Sequence, residues 1–117
     1  MSTITSTATV ATDRAARYGK QLASHLSRRS VTHWDASTGT GTLEMGDGAA
    51  HADLVSTPEA LVITLTTAPD NADLYEDVIG RHLVRFGHRD ELVASWTRSD
   101  GSTGTTQVHG KDGPDAP

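Results

Sequence analysis

Two histidines, His25 and His82, are the residues of this chain whose type and spacing best fit a binding site. Each belongs to a run of apolar residues at three- and four-residue intervals, the spacing of one helix face. Imidazole nitrogens bind zinc, iron and copper, and Asp90 or Glu91 would supply a carboxylate as third ligand. A metal or ligand site between two helices is therefore one hypothesis for this pair. The alternative, which we favour, is a pair of core histidines, each bonded to a backbone carbonyl or a neighbouring group.

Cationic side chains follow one another where each of these helices is expected to end. They are Arg81, Arg85, His88 and Arg89 at the second helix, and Arg28, Arg29 and His33 after the first. Guanidinium groups pair with the oxygens of carboxylates and phosphates, so the first set is a candidate binding site for an anionic ligand, including an anionic siderophore. The alternative, which we favour, is that these charges complement the helix dipole, with Arg81 pairing with Asp77 four residues earlier.

Further candidate ligands fall at alternate positions of two strand-like segments. They are His33, Asp35, His51 and Asp53. We expect the histidines on the sheet face opposite Trp34 and Leu54, where a surface metal site is one hypothesis and a solvated face is the one we favour. The same open face, which would carry Val55, Val62 and Val93, is a candidate surface for a homodimer.

The elements that position these residues are read from apolar periodicity and turn signals. Strands are predicted at residues 4–11, 31–35, 40–45, 49–56, 61–67 and 92–97. One helix begins at Ala15 and ends near residues 28–30, and the other is opened by Pro69 and Asp70 and ended by Gly87. The order β-α-β-β-β-β-α-β predicts a two-layer α+β domain, an antiparallel sheet with two helices on one face. This order resembles one half of the TATA-binding protein fold.

Composition sets the limits of the domain and of its partners. The chain has 117 residues, a formal net charge of -5 and no cysteine. Residues 1–99 suit a single domain, whereas residues 100–117 hold so few apolar side chains that a disordered tail is expected. The acidic balance argues against nucleic acid. No secretory signal and no apolar run of about 20 residues is seen, so no membrane partner and a cytoplasmic location are expected.

Several segments together carry a resemblance to a known family. They are residues 8–12, 16–18, 21–25, 76–87 and 89–92, with Trp34 and Trp96. Over residues 7–97 the chain resembles the bacterial family called domain of unknown function 2218. The resemblance implies no established activity. Members are similar to domains beside siderophore-interacting, flavin-dependent iron reductases, which implies iron handling, and no residue here supports the aldolase label that some relatives have carried.

The absence of a nucleophile elbow or a phosphate-binding loop in the sequence favours a protein that is not an enzyme. The leading hypothesis is a non-catalytic binding or accessory module for an anionic or metal-containing ligand in iron or siderophore metabolism. The alternatives are a small metal-dependent enzyme that uses His25 and His82, and a homo-oligomeric structural domain. The sequence identifies no cofactor, and its partner is either a small molecule or a protein.

Overall fold

The computed structural model describes residues 3–28 and 30–108 of the chain. In this part of the chain two α-helices, α1 and α2, accompany seven β-strands. The helices are α1 at Ala15–Leu26 and α2 at Ala72–Phe86. The strands are β1 at Ile4–Ala11, β2 at Val31–Asp35, β3 at Thr40–Met45, β4 at Ala50–Ser56, β5 at Ala60–Thr67, β6 at Val93–Arg98 and β7 at Thr103–Val108.

All strands belong to one antiparallel sheet, with the strand order β2-β3-β4-β5-β1-β6-β7. The predicted two-layer α+β class and the predicted order of elements are confirmed from β1 to β6. Helix α1 packs over β2 to β5, and α2 packs over β5 to β7. The two helices therefore lie side by side on the same face of the sheet.

The core lies between this sheet face and the helices, and strand alternation explains which residues enter it. In β5, Leu61, Ile63 and Leu65 are fully buried, whereas the intervening side chains turn to the uncovered face. Successive side chains of a strand point to opposite faces, so one apolar set of period two fills the core. Burying each such side chain contributes about 1.5–3 kcal/mol.

Close approach of α1 to the sheet depends on glycine. Tyr18, Leu22 and Leu26 form the buried face of α1, as the helical spacing predicts. Between them, a Cβ atom on Gly19 would lie 2.6 Å from the ring of Trp34 in β2. The missing side chain at position 19 lets the helix rest on the indole, which extends the core to the sheet edge.

Strand β7 corrects the prediction that the chain is disordered from residue 100 onward. Residues 103–108 pair with β6, although they are almost wholly polar. Their polar groups find buried partners: Trp96 Nε1 donates to Gln107 Oε1 at 2.7 Å, and the Thr105 amide donates to Glu76 Oε1 at 3.0 Å. Hydrogen bonding thus replaces the apolar burial that composition alone would demand. Residues 109–117, the rest of the predicted tail, lie outside the described residues.

The outer face of the sheet is not covered by either helix. It presents the odd-numbered threonines of β1 together with charged residues and valines of β3 to β5. Within residues 3–28 and 30–108, neither helix combines the length and the apolar character that crossing a bilayer would require.

Candidate two-histidine cleft

The packing of α1 beside α2 brings His25 and His82 together. Their ring centroids lie 4.8 Å apart, and the ring planes are tilted by 51°. His25 is exposed in the last turn of α1, and His82 is half-buried in the second half of α2. The predicted proximity of the two rings is therefore confirmed, and neither histidine is a fully buried core residue.

The orientation of the His82 ring is fixed by its own helix. Its Nδ1 lies 2.7 Å from the carbonyl oxygen of Val78, one turn earlier. A carbonyl oxygen can only accept, so Nδ1 carries the hydrogen of this bond. In the neutral ring the lone pair then lies on Nε2. The backbone bond anticipated by the core-histidine alternative is present, and it leaves the second nitrogen able to accept or to ligate.

The two rings line a cleft of about 480 Å³ at the ends of the helices. Its other walls are Leu26 and Val78, which are apolar, and Arg28 and Ser30, which are polar. A second cleft of about 590 Å³ shares Arg28 and Ser30 with the first, and its lining includes the carboxylates Glu44 and Asp47. The described residues that line the histidine cleft thus combine two imidazoles, one guanidinium and one hydroxyl, without a carboxylate.

Two carboxylates, Asp90 and Glu91, are candidates for the third metal ligand, and Asp90 has another partner. Asp90 Oδ2 accepts the Tyr18 hydroxyl at 2.5 Å. Burial, together with this bond to Asp90, raises the pKa of Tyr18. Glu91 is exposed and has a φ of 54°. In the described part of the chain, no three histidine, aspartate or glutamate side chains form a group that could hold a metal ion.

The arginines that the structure describes at the end of α2 are not among the residues that line this cleft. Arg81 donates from Nε and Nη2 to Asp77 at 3.1 and 3.2 Å, the four-residue pair that the sequence indicates. Arg85 and Arg89 are exposed, and neither is among the residues that line the two clefts. The side chain of His88 and the whole of Arg29 fall outside what the structure describes. An anion site at the end of α2 stays a prediction.

On the open sheet face, His51 lies between two carboxylates. Its Nε2 is 3.0 Å from Asp53 Oδ1, and its Nδ1 contacts Glu44 Oε2. The hydrogen bond to Glu44, which outweighs the opposing effect of burial, raises the pKa of His51. Sequence reasoning named Asp53 but missed Glu44, which is the cross-strand partner of His51 in β3.

The other candidates on this face stand apart from His51. His33 is the cross-strand partner of Thr42, and Asp35 accepts hydrogen bonds from Ser37 within its own turn. The predicted grouping of His33 with His51 is therefore not formed by a direct contact. His51 remains part of a local trio with Glu44 and Asp53.

Replacing Glu44 by glutamine is expected to lower the pKa of His51, because the replacement removes the stronger of its two carboxylate partners. In the wild type the pKa is raised, so this trio stabilises the fold at low pH and loses its contribution as pH rises through the folded-state pKa. The ring resonances of His51, followed by NMR across a pH titration, give the midpoint directly. An unchanged midpoint in Glu44→Gln would contradict the contact, and His33→Asn serves as a control that leaves the trio intact.

The valines predicted as a dimer surface fall into two places on the open face that are separated by β1. Val55 in β4 and Val62 in β5 are direct cross-strand partners, whereas Val93 in β6 is opposite Val108 in β7. Val55 and Val93 are exposed, and Val62 is half-buried. A homodimer through this face stays a prediction.

One buried polar cluster was missed by sequence reasoning. Glu76 in α2 is fully buried, and its carboxylate accepts bonds from Arg98 at 2.8 Å, from Ser6 at 2.5 Å and from Thr105 at 2.9 Å. Burial would raise the pKa of Glu76, but the hydrogen bonds, first that of Arg98, prevail and lower it. The cluster ties α2 to β1, β6 and β7. None of its members is among the residues that line the two-histidine cleft.

The fold and the cleft define a small two-layer α+β domain, and comparison with known proteins gives its family. The family model described as an uncharacterised protein conserved in bacteria, domain of unknown function 2218, matches residues 7–97. The chain belongs to this family, as the sequence resemblance indicates, and the family carries no specific function.

Among solved structures, the chain is similar to the NMR structure of PA4090 from Pseudomonas aeruginosa. The sequence identity is 21%, the TM-score is 0.56, and the match covers 88% of this chain and 100% of that one. This likeness concerns the fold. No curated protein matches the chain significantly.

Proposed function

We propose that this domain is a non-catalytic binding module that holds a small anionic ligand in the two-histidine cleft. The observation that carries the proposal is the 4.8 Å approach of His25 and His82 at the wall of a cleft that also holds Arg28. A cleft of several hundred Å³ with a few convergent polar groups is the usual form of a small-molecule site.

The charge of the cleft favours an anion. Arg28 offers a fork of N–H donors, and Ser30 offers a hydroxyl beside it. A carboxylate or phosphate accepts both kinds of bond, whereas a cationic ligand would meet Arg28 without a compensating carboxylate in this cleft. The same composition favours binding over the alternative of a metal-dependent enzyme, because the described lining residues offer no carboxylate as the third protein ligand of a catalytic metal.

We extend the proposal to a cytoplasmic role in iron or siderophore metabolism. The support is the family resemblance noted from the sequence, together with a cysteine-free composition that suits a reducing compartment. Tricarboxylates such as citrate carry the carboxylates that Arg28 and Ser30 would bind, and they also bind ferric iron. Citrate is therefore the first probe.

The Arg28→Gln variant is expected to bind citrate at least roughly tenfold more weakly than the wild type, because a hydrogen bond to a charged group is worth about 1.5–3 kcal/mol. Isothermal titration calorimetry measures the affinity, and ligand-dependent thermal stabilisation checks it by mass action. Arg85→Gln is the matched control, since it removes another exposed arginine that is not among the residues lining the cleft.

The two variants separate the competing sites. If Arg85→Gln loses citrate binding while Arg28→Gln binds citrate as the wild type does, the anion site lies at the end of α2. Arg81, Arg85 and Arg89 follow one another there. No binding of citrate or of inorganic phosphate to the wild type would overturn the proposal.

A further inference from the structure

We infer that His25 and His82 together bind a divalent transition metal that arrives already held by an anionic chelating ligand. This inference deepens the proposed function and rests on it, since the same cleft would hold the chelator. The two imidazoles supply two neighbouring coordination positions, and the chelator supplies the rest.

The spacing of the rings suits a shared metal ion. A metal–nitrogen bond is about 2.0–2.1 Å long, which puts the metal roughly 3.2 Å from each ring centroid when the ring's own radius is added. With the centroids 4.8 Å apart, a metal placed in line with each centroid and its coordinating nitrogen would have a nitrogen–metal–nitrogen angle of roughly 100°. This value falls between the angles of octahedral and tetrahedral coordination, so zinc, nickel, cobalt and copper all fall within the geometric range.

The hydrogen bond of His82 is the second observation that points to a metal. Metal-binding histidines usually donate their other ring N–H to a carbonyl or carboxylate, which fixes the tautomer and the ring orientation. His82 Nδ1 makes this bond to the carbonyl of Val78. The Nε2 atom is therefore the nitrogen assigned to the metal.

The composition of the cleft explains why the metal would come with a chelator. In the described residues no group of three histidine, aspartate or glutamate side chains could hold a metal ion, so the two nitrogens of this cleft would leave most positions of the metal open. Arg28 and Ser30 line the same cleft and would bond to the carboxylates of a chelator. Protein and chelator thus complete one coordination sphere between them.

Nickel nitrilotriacetate is the probe that matches this arrangement. The chelator carries three carboxylates and leaves two adjacent positions of nickel open, the number that His25 and His82 would fill. Nickel held by ethylenediaminetetraacetate is the matched control, because that chelator occupies every position and leaves only its negative charge for Arg28 to recognise.

The wild type is expected to bind nickel nitrilotriacetate at least roughly tenfold more tightly than His25→Asn or His82→Asn, since the second nitrogen binds as an intramolecular ligand. Calorimetry measures the affinity, and paramagnetic broadening of the His25 and His82 ring resonances reports the site. His33→Asn, which removes an exposed histidine on the opposite sheet face, is expected to bind as the wild type does.

The outcomes separate the metal bond from anion recognition. Equal binding of the nitrilotriacetate and ethylenediaminetetraacetate complexes would overturn the metal inference and leave the proposed anion site standing. The metal inference would also be overturned if His25→Asn bound nickel nitrilotriacetate as tightly as the wild type does. His25 is exposed, so its replacement is not expected to disturb folding. Failure of citrate and of both complexes would overturn the proposed function as well.

Discussion

Replacing Arg98 by methionine is expected to lower the free energy of unfolding by about 3–5 kcal/mol, the usual cost of removing one partner of a buried ion pair. The guanidinium is 8% exposed and donates from Nε and Nη2 to the Glu76 carboxylate. The hydrogen bonds to Glu76, and then to Asp73, raise the pKa of Arg98, so the guanidinium stays charged throughout the accessible pH range. Without Arg98 the Glu76 carboxylate is buried without a counter-charge.

Urea unfolding followed by circular dichroism measures this loss. Arg14→Met is the control, because Arg14 is exposed and its contact with Asp13 is 3.9 Å long; its effect is expected within about 0.5 kcal/mol. A loss below about 1 kcal/mol in Arg98→Met would contradict the assignment of Arg98 as the compensating charge.

The pH dependence of the same pair has a definite sign. The folded-state pKa of Glu76 is lowered, so its contribution is present above the ordinary carboxyl pKa and is lost as pH falls through the folded-state value. In Arg98→Met, burial favours the protonated carboxyl instead. The difference in stability between wild type and variant is therefore expected to shrink in acid.

Ending the chain after Asp100, and so deleting β7, is expected to lower the free energy of unfolding by about 3 kcal/mol or more. The deletion leaves Trp96 Nε1 without Gln107, and a buried polar group without a partner costs about 1–3 kcal/mol. It also removes the two bonds from Thr105 to the Glu76 carboxylate, and a hydrogen bond to a charged group is worth about 1.5–3 kcal/mol. Thermal and urea unfolding measure the change.

A chain that ends after Val108 is the matched control for this deletion, because it keeps every contact of β7 described above. Equal stability of the two shortened chains would mean that residues 103–108 add nothing to the folded domain, as expected for the disordered tail that their composition predicts. A large difference would assign them to the folded domain.

The local sequence pattern was sufficient to predict the structure wherever the burial of apolar side chains determines it. The period-two alternation of β5 and the helical spacing of Tyr18, Leu22 and Leu26 each indicate the face that the structure buries. The proximity of His25 and His82 could also be predicted, because it depends on two helices packing on the same face of the sheet. These features depend on side chains near one another in the chain or on a single layer rule.

What could not be predicted depends on polar partners that are distant in sequence. Glu76 and Asp73 lie among acids that suit the start of a helix, and nothing local indicates that Arg98 reaches back to them. The polar residues of β7 were misread for the same reason, since Gln107 and Thr105 become favourable only beside Trp96 and Glu76. Asp90, counted as a metal ligand, instead accepts a bond from Tyr18 on the other helix.

The order of synthesis gives the Glu76 cluster a consequence for how the chain folds. Its donors Arg98 and Thr105 are made 22 and 29 residues after Glu76. Until these donors emerge from the ribosome, the Glu76 carboxylate has a lower free energy in water than in the core. We therefore expect α2 to dock onto the sheet only after they have emerged. The nascent domain would then close only after β7 has been made, so that completion of the fold, and of the cleft between its helices, follows the synthesis of residues 103–108.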